Sequence, residues 1–202
     1  MGAYEMLAGC YDRLTSDVDY RAVAGFYRTL LDREGVHPRS AVDLACGTGS
    51  ISAILAEQGL AVTGVDMSEE MLTQAAAKTA ELPNPPVFVR QKLQRLSLPR
   101  GVDLAVCALD SLDYITAPRD CAEAIRRVYR ALNPGGMFIF DVNTPEKLRA
   151  MVEASGAHST DMQSPETADH LCAKCDAYAA CWKPAADALW AENRAAKAAR
   201  KG

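Results

Sequence analysis

Along the first three quarters of the chain, short unbroken apolar runs alternate with longer stretches in which apolar residues return every three or four positions. The runs predict strands at residues 41–44, 61–65, 86–89, 102–107 and 136–141. The longer stretches predict helices. In 17–34, Val18, Ala22, Val23, Phe26, Leu30 and Leu31 share one helical face, and Gly35 with Pro38 stops the segment. In 51–59, Ile51, Ile54 and Leu55 recur at helical spacing and Gly59 suits a helix end. In 68–80, Ser68 serves as N-cap with Met71 and Leu72 facing inward, and 119–132 ends at Asn133-Pro134-Gly135-Gly136. Near-continuous apolar strands alternating with helices imply an α/β fold whose parallel sheet is covered on both faces.

After about residue 150 the pattern breaks. Residues 151–202 hold one valine, no isoleucine and no phenylalanine, so no strand is predicted there. Residues 158–167 read as a polar loop, and the alanine-rich 185–200 as a helix. The chain therefore divides into 1–36, a core at 37–150 and an atypical tail at 151–202. Its 202 residues, 49% apolar and 24% charged, suit one sizeable core with an appendage. A net charge of −4 gives no general attraction to phosphate backbones or anionic lipid, which favours small-molecule partners over nucleic acid. No window is long and apolar enough to span a bilayer. The start of the chain lacks the basic and apolar regions of a signal peptide. Seven cysteines, with Cys10, Cys46, Cys107 and Cys121 scattered through apolar stretches, fit a reducing cytoplasm.

The chemistry concentrates at one βαβ unit. Val42-Asp43-Leu44-Ala45-Cys46-Gly47-Thr48-Gly49-Ser50 reads as a strand, a glycine turn and a helix start, and Gly64-Val65-Asp66-Met67-Ser68 as a second strand ending on a carboxylate. A crossover helix between parallel strands brings both to the carboxyl edge of the sheet, where open α/β folds bind ligands. Gly47 and Gly49 let the main chain approach a ligand closely, and Asp43 can accept from that loop or from a ligand ammonium. Asp66 can accept two hydrogen bonds from a ribose diol, and Met67 beside it can lie against an adenine ring. A plainer reading makes the glycines a matter of turn geometry and Asp66 a cap for the following helix; the joint occurrence of both elements at this spacing favours the ligand. Ser52 stands where a dehydrogenase fingerprint needs a third glycine, and the acidic Asp43 ends the strand. These features indicate an adenosine ligand without a pyrophosphate.

These two segments resemble the first two motifs of the class I S-adenosylmethionine-dependent methyltransferases. The resemblance extends over about residues 4–149. Tyr4-x-x-Leu7-Ala8-x-x-Tyr11-Asp12-x-Leu14 with Asp17-Val18-Asp19-Tyr20 resembles the N-terminal lid of small bacterial members, including those acting on amino sugars. Asp103 to Tyr114 resembles the fourth strand and its loop, and Leu132 to Thr144 the fifth-strand segment. The resemblance implies a Rossmann-like, doubly wound, mostly parallel sheet with an N-terminal helical lid. It further implies that Asp43, Ala45, Gly47 and Gly49 cradle the methionine part of S-adenosylmethionine, that Asp66 holds the ribose, that Met67 and Leu93 flank the adenine, and that Ala108, Leu109 and Asp110 border the sulfonium. Lys92 stands where relatives carry an acidic acceptor for the adenine amino group, and lysine has no acceptor. Methyl transfer is an in-line displacement that needs no metal; the protein supplies proximity, alignment and desolvation. For a hydroxyl or ammonium acceptor, Asp110 and the lid residue Tyr11 are the catalytic candidates, with Asp113, Tyr114 and Asn143 nearby. Each also has a structural reading as a cap, packing or turn residue.

Relatives follow the fifth strand with a helix and two further strands, and the tail offers no candidates for these. They are expected to be absent or replaced by a helical tail, which leaves the fifth strand as an open edge that could pair two copies of the chain. His170-x-Cys172-x-x-Cys175-x5-Cys181 sets four soft ligands close together, but the spacing is irregular for zinc and the three thiolates are too few for most clusters. A small helical segment over 171–182 packing Cys172, Cys175, Tyr178 and Trp182 is the preferred reading. The leading function is methyl transfer to a nitrogen or oxygen of a small molecule. Two alternatives stand beside it: a protein that binds S-adenosylmethionine or S-adenosylhomocysteine without turnover, and an RNA or tRNA methyltransferase, supported locally only by Arg194, Lys197, Arg200 and Lys201.

Overall fold

The computed structural model describes residue 8, residues 11–144 and residues 146, 147, 149 and 150. The expectations for the tail, including His170, Cys172, Cys175, Cys181 and the 185–200 helix, lie outside the described residues. The elements run α1 (Tyr11–Leu14), α2 (Tyr20–Glu34), β1 (Ser40–Leu44), α3 (Ser50–Glu57), β2 (Ala61–Asp66), α4 (Glu69–Thr79) and β3 (Val87–Arg90). A 3-10 turn (Leu93–Arg95), β4 (Val102–Cys107), a second 3-10 turn (Ser111–Tyr114), α5 (Pro118–Ala131) and β5 (Leu132–Phe140) complete the order. All strand pairs are parallel, in the order β3-β2-β1-β4-β5. The chain therefore winds outward in both directions from β1, and the carboxyl ends of β1 and β4 flank the switch point where such sheets open a ligand crevice.

Side-chain alternation builds two cores, one on each face of the sheet. Ala41, Val62, Leu104, Val106 and Ile139 pack with Tyr27 and Leu31 of α2 and with Ile51 and Leu55 of α3. Val42, Leu44, Val65, Ala105 and Cys107 pack on the other face with Leu93, Leu112, Ala124 and Val128. Strand residues buried on both faces explain the unbroken apolar runs in the sequence.

Several boundaries differ from the sequence reading for physical reasons. The first long helix starts at Tyr20 rather than residue 17, because the Asp19 side chain accepts from the Ala22 N–H at 2.9 Å and caps it there. Its inward face is also rotated. Ala24, Tyr27 and Leu31 are buried, while Phe26, expected inside, is 59% exposed. Ser68 caps α4 as expected, accepting from the Met71 N–H at 3.3 Å, and Met71 and Leu72 are buried. The fifth strand begins at Leu132 rather than residue 136: Val102 pairs with Leu132 and Leu104 with Met137, so Asn133 to Gly136 bulge out of the ladder. Gly136 is required in that bulge, since a Cβ there would lie 2.9 Å from the Asn133 carbonyl and 3.0 Å from that of Asp103. Among the described residues, β5 pairs with β4 alone, and no helix is long and apolar enough to cross a membrane.

Candidate active site

The site is built from the loops that leave the carboxyl ends of β1, β2 and β4. At the end of β1 the backbone turns through left-handed geometry at Ala45 (φ 53°), Gly47 (φ 54°) and Gly49 (φ 76°). Left-handed geometry is unusual for a non-glycine residue, yet it recurs at Leu109 (φ 56°) and Asp110 (φ 49°) beyond β4. Every described non-glycine residue with positive φ thus sits in one of the two loops that leave β1 and β4 at the crevice, where backbone strain commonly accompanies function. The two motif glycines serve different ends. At Gly47 a Cβ would meet only Tyr11, at 3.9 Å, whereas at Gly49 it would lie 2.9 Å from Ala75 and 3.2 Å from the Phe88 ring. Gly49 allows α3 to close against α4 and β3; Gly47 leaves the main chain open toward the lid.

Asp66 ties this loop to β2. Its Oδ2 accepts the Gly47 N–H at 2.9 Å and its Oδ1 the Ser68 N–H at 2.9 Å. Each oxygen keeps a lone pair, so the carboxylate is oriented by the backbone and still able to accept two ligand hydroxyls. Met67 beside it is 61% exposed on the same edge, placed to lie against a ring. Leu93, expected beside it, is buried and packs in one cluster with Leu96 and Leu112. Lys92 is exposed and precedes that 3-10 turn, which Gln91 clamps by bonding both main-chain groups of Ser97.

Asp43 is the buried charge of the site, with 2% of its surface exposed. Ser52, read in the sequence only as a missing glycine, is fully buried and donates to Asp43 Oδ2 at 2.6 Å. Desolvation dominates nonetheless and pushes the Asp43 carboxyl up to about 7, with the Asp66 charge adding to the effect. A cavity of about 40 Å³ lies against Asp43, Ala45, Gly47, Ala108, Leu109 and the lid residue Tyr11. The hydroxyl of Tyr27, buried on the same face of the sheet, has no hydrogen-bond partner among the described residues. Burial, Asp141 and Asp43 raise its pKa far above the ordinary range. Cys46 in the loop is likewise raised by burial and by the Asp43 and Asp66 charges, which makes it an inert packing thiol.

On the β4–β5 side the candidate catalytic groups form one network. Asp141 Oδ2 accepts the Asp110 N–H at 2.8 Å, and the Asn143 amide donates to Asp110 Oδ2 at 2.6 Å. The Asn143 N–H donates to Asp113 Oδ2 at 3.0 Å. Burial raises the Asp113 pKa against the Asn143 bonds, and the neighbouring Asp110 and Asp141 charges push the same way. Tyr11 reaches in from the lid. Burial first, then Tyr20, Tyr114, Asp66 and Asp110, raise its pKa, so it holds its proton.

These features suit an adenosyl ligand carrying an amino acid: a buried carboxylate beside an open glycine turn for an ammonium, and an oriented carboxylate for a diol. The comparisons agree. The family model described as a methyltransferase domain matches residues 41–136. Residues 41–136 form a methyltransferase domain of class I fold. The S-adenosylmethionine-dependent methyltransferase from Clostridium acetobutylicum ATCC 824 superposes with a TM-score of 0.66 at 32% identity, covering 75% of this chain and 62% of that one. The sugar N-methyltransferase KedS8 from Streptoalloteichus sp ATCC 53650 gives a TM-score of 0.61 at 27% identity, covering 67% and 55%. The Bacillus subtilis (strain 168) protein YqeM, a methyltransferase by name with no acceptor stated, is 37% identical over 146 residues, or 72% of this chain and 57% of that protein. The methyltransferase domain thus accounts for the ligand edge, and the chain spans less than two thirds of the length of these relatives.

Proposed function

We propose that this chain transfers the methyl group of S-adenosylmethionine to a nitrogen or oxygen of a small-molecule acceptor, with an amine favoured. The observation that carries the reading is the pairing of Asp43 and Asp66 across the Gly47 loop at the switch point of the sheet. Asp43 and the main chain at Ala45 and Gly47 would hold the amino-acid part, Asp66 the ribose hydroxyls and Met67 the adenine face. When bound, S-adenosylmethionine supplies a methyl group on a sulfonium, open to in-line displacement by a nucleophile.

The chain's own groups would do the rest. Ala108, Leu109 and Tyr11 exclude water and fix direction. Asp110, Asp113 and Asp141 give the acceptor side of the crevice a negative rim that attracts an amine and disfavours a carboxylate or phosphate acceptor. Asp110, held by Asn143, would take the proton that a protonated amine must lose before or during attack. The sugar N-methyltransferase named above gives an amine acceptor precedent on this fold. Incubation with methyl-labelled S-adenosylmethionine and matched panels of small amines, alcohols and tRNA tests the reading. Label is expected on small amines, with weaker transfer to alcohols. Label on tRNA alone, or cofactor binding without turnover on any acceptor, would overturn it.

A further inference from the structure

Three segments far apart in sequence converge beside the ligand crevice. Asp12 of α1 sits between Thr48 of the glycine loop, whose hydroxyl donates to Asp12 Oδ1 at 2.5 Å, and Lys78 of α4, whose Nζ lies 2.7 Å from Oδ2. The same ammonium donates to Thr48 Oγ1 and to Ser50 Oγ, each at 3.1 Å. All three Lys78 donors are thereby used, and Thr48, between the two motif glycines, is buried and turned toward the lid. The short helix α1 buries no residue of its own, so little apolar contact holds it down.

We propose that Asp12 is a positioning residue: its bonds to Thr48 and Lys78 latch α1 onto the glycine loop and so fix Tyr11 over Gly47. The inference rests on the cofactor reading above. Tyr11 is the residue immediately before the latch, and it lines the cavity against Asp43. That cavity, about 40 Å³, is also lined by Thr48 and Ser50, so the latch borders it directly. A groove of about 430 Å³ lies on the other side of the latch, lined by Val18, Lys78 and Leu82 among others. Tyr20 and Ser50 border both spaces. The ion pair is half-exposed, with 50% of the Asp12 and 30% of the Lys78 side chain open to solvent. Such a pair is individually weak and screened by salt, which suits a latch that must open on each turnover.

Two readouts test this on the full chain. In ligand-free protein, hydrogen exchange at the Thr15 amide, which is bonded to the Tyr11 carbonyl, is expected to quicken about fivefold or more in Asp12→Ala and in Lys78→Met. The exchanged pair Asp12→Lys with Lys78→Asp is expected to restore part of the protection. By stopped flow, the S-adenosylhomocysteine off-rate is expected to rise about tenfold in Asp12→Ala. It should increase with salt in the native chain and stay flat in the variant. Unchanged exchange in both single variants overturns the latch, even if the chain were to bind no cofactor. Native binding with an off-rate insensitive to Asp12→Ala overturns it as well, while leaving the cofactor reading intact.

Discussion

Two carboxylates on neighbouring strands of one sheet are treated in opposite ways. Asp103, at the amino edge beside the start of β1, accepts the Arg39 N–H at 2.9 Å, the Ser40 N–H at 3.1 Å, the Ser40 hydroxyl at 3.0 Å and the Asn133 amide at 2.8 Å. Partial burial works to raise its pKa, but these donors outweigh it and hold the carboxyl below the usual carboxylate range. It stitches β1, β4 and the β5 bulge together. Asp43, at the carboxyl edge, is almost fully buried, and among its neighbours only Ser52 donates a side-chain hydrogen bond to it. Around Asp43 stand the strained Ala45, Leu109 and Asp110 and the Tyr27 hydroxyl, unpartnered among the described residues. Asp103 has its acceptors filled by protein donors that fix the fold, whereas Asp43 is left short of partners that a ligand can provide.

The largest effect that would sharpen this contrast is on binding. Asp66→Ala removes the acceptor for two ligand hydroxyls, and charged hydrogen bonds contribute about 1.5–3 kcal/mol each. Calorimetric affinity for S-adenosylhomocysteine is expected to fall about 100-fold or more, and equal affinity would break the assignment.

Asp43→Asn comes next. A folded-state pKa of about 7, above the unfolded value, means that the stability tied to the Asp43 proton is complete below the unfolded pKa and is lost as pH rises through 7. Asparagine cannot ionise. Relative to the native chain, the variant should therefore gain about 2 kcal/mol in denaturant-measured stability between pH 5 and pH 8, while cofactor affinity falls.

Asp103→Asn should show the reverse pattern. Its stabilising effect is present above the unfolded pKa and is lost as pH falls through the folded one. A loss of about 1–2 kcal/mol is expected at pH 7, shrinking toward pH 3, with cofactor affinity unchanged. The smallest effect is at Ala45, where glycine relieves left-handed strain. Ala45→Gly is expected to stabilise the fold by less than about 1 kcal/mol in thermal unfolding.

The sheet and its ligand edge were legible because they depend on local patterns: unbroken apolar runs for strands buried on both faces, and a glycine turn answered by an acidic strand end. The bond from Ser52 to Asp43 was not legible because a motif template registers only the glycine that is lacking, not the hydroxyl that a buried carboxylate gains. Phe26 was read as inward and Tyr27 passed over because neighbouring helical faces differ by one position, and docking on the sheet chooses between them. Leu93 was expected at the adenine only through the family resemblance, and its packing with Leu96 and Leu112 was not legible in local spacing. The Asp12–Thr48–Lys78 cluster joins residues up to 66 positions apart, and nothing in local spacing predicts it.

The most direct test is calorimetric titration of S-adenosylhomocysteine at pH 7 in two buffers of different ionisation enthalpy. If Asp43 is half-protonated without ligand and ionised against the bound ammonium, binding should be one-to-one and release roughly half a proton per site. Asp43→Asn should release none. Absence of binding, or binding with no proton released by the native chain, would contradict the assignment of Asp43 to the ligand's ammonium.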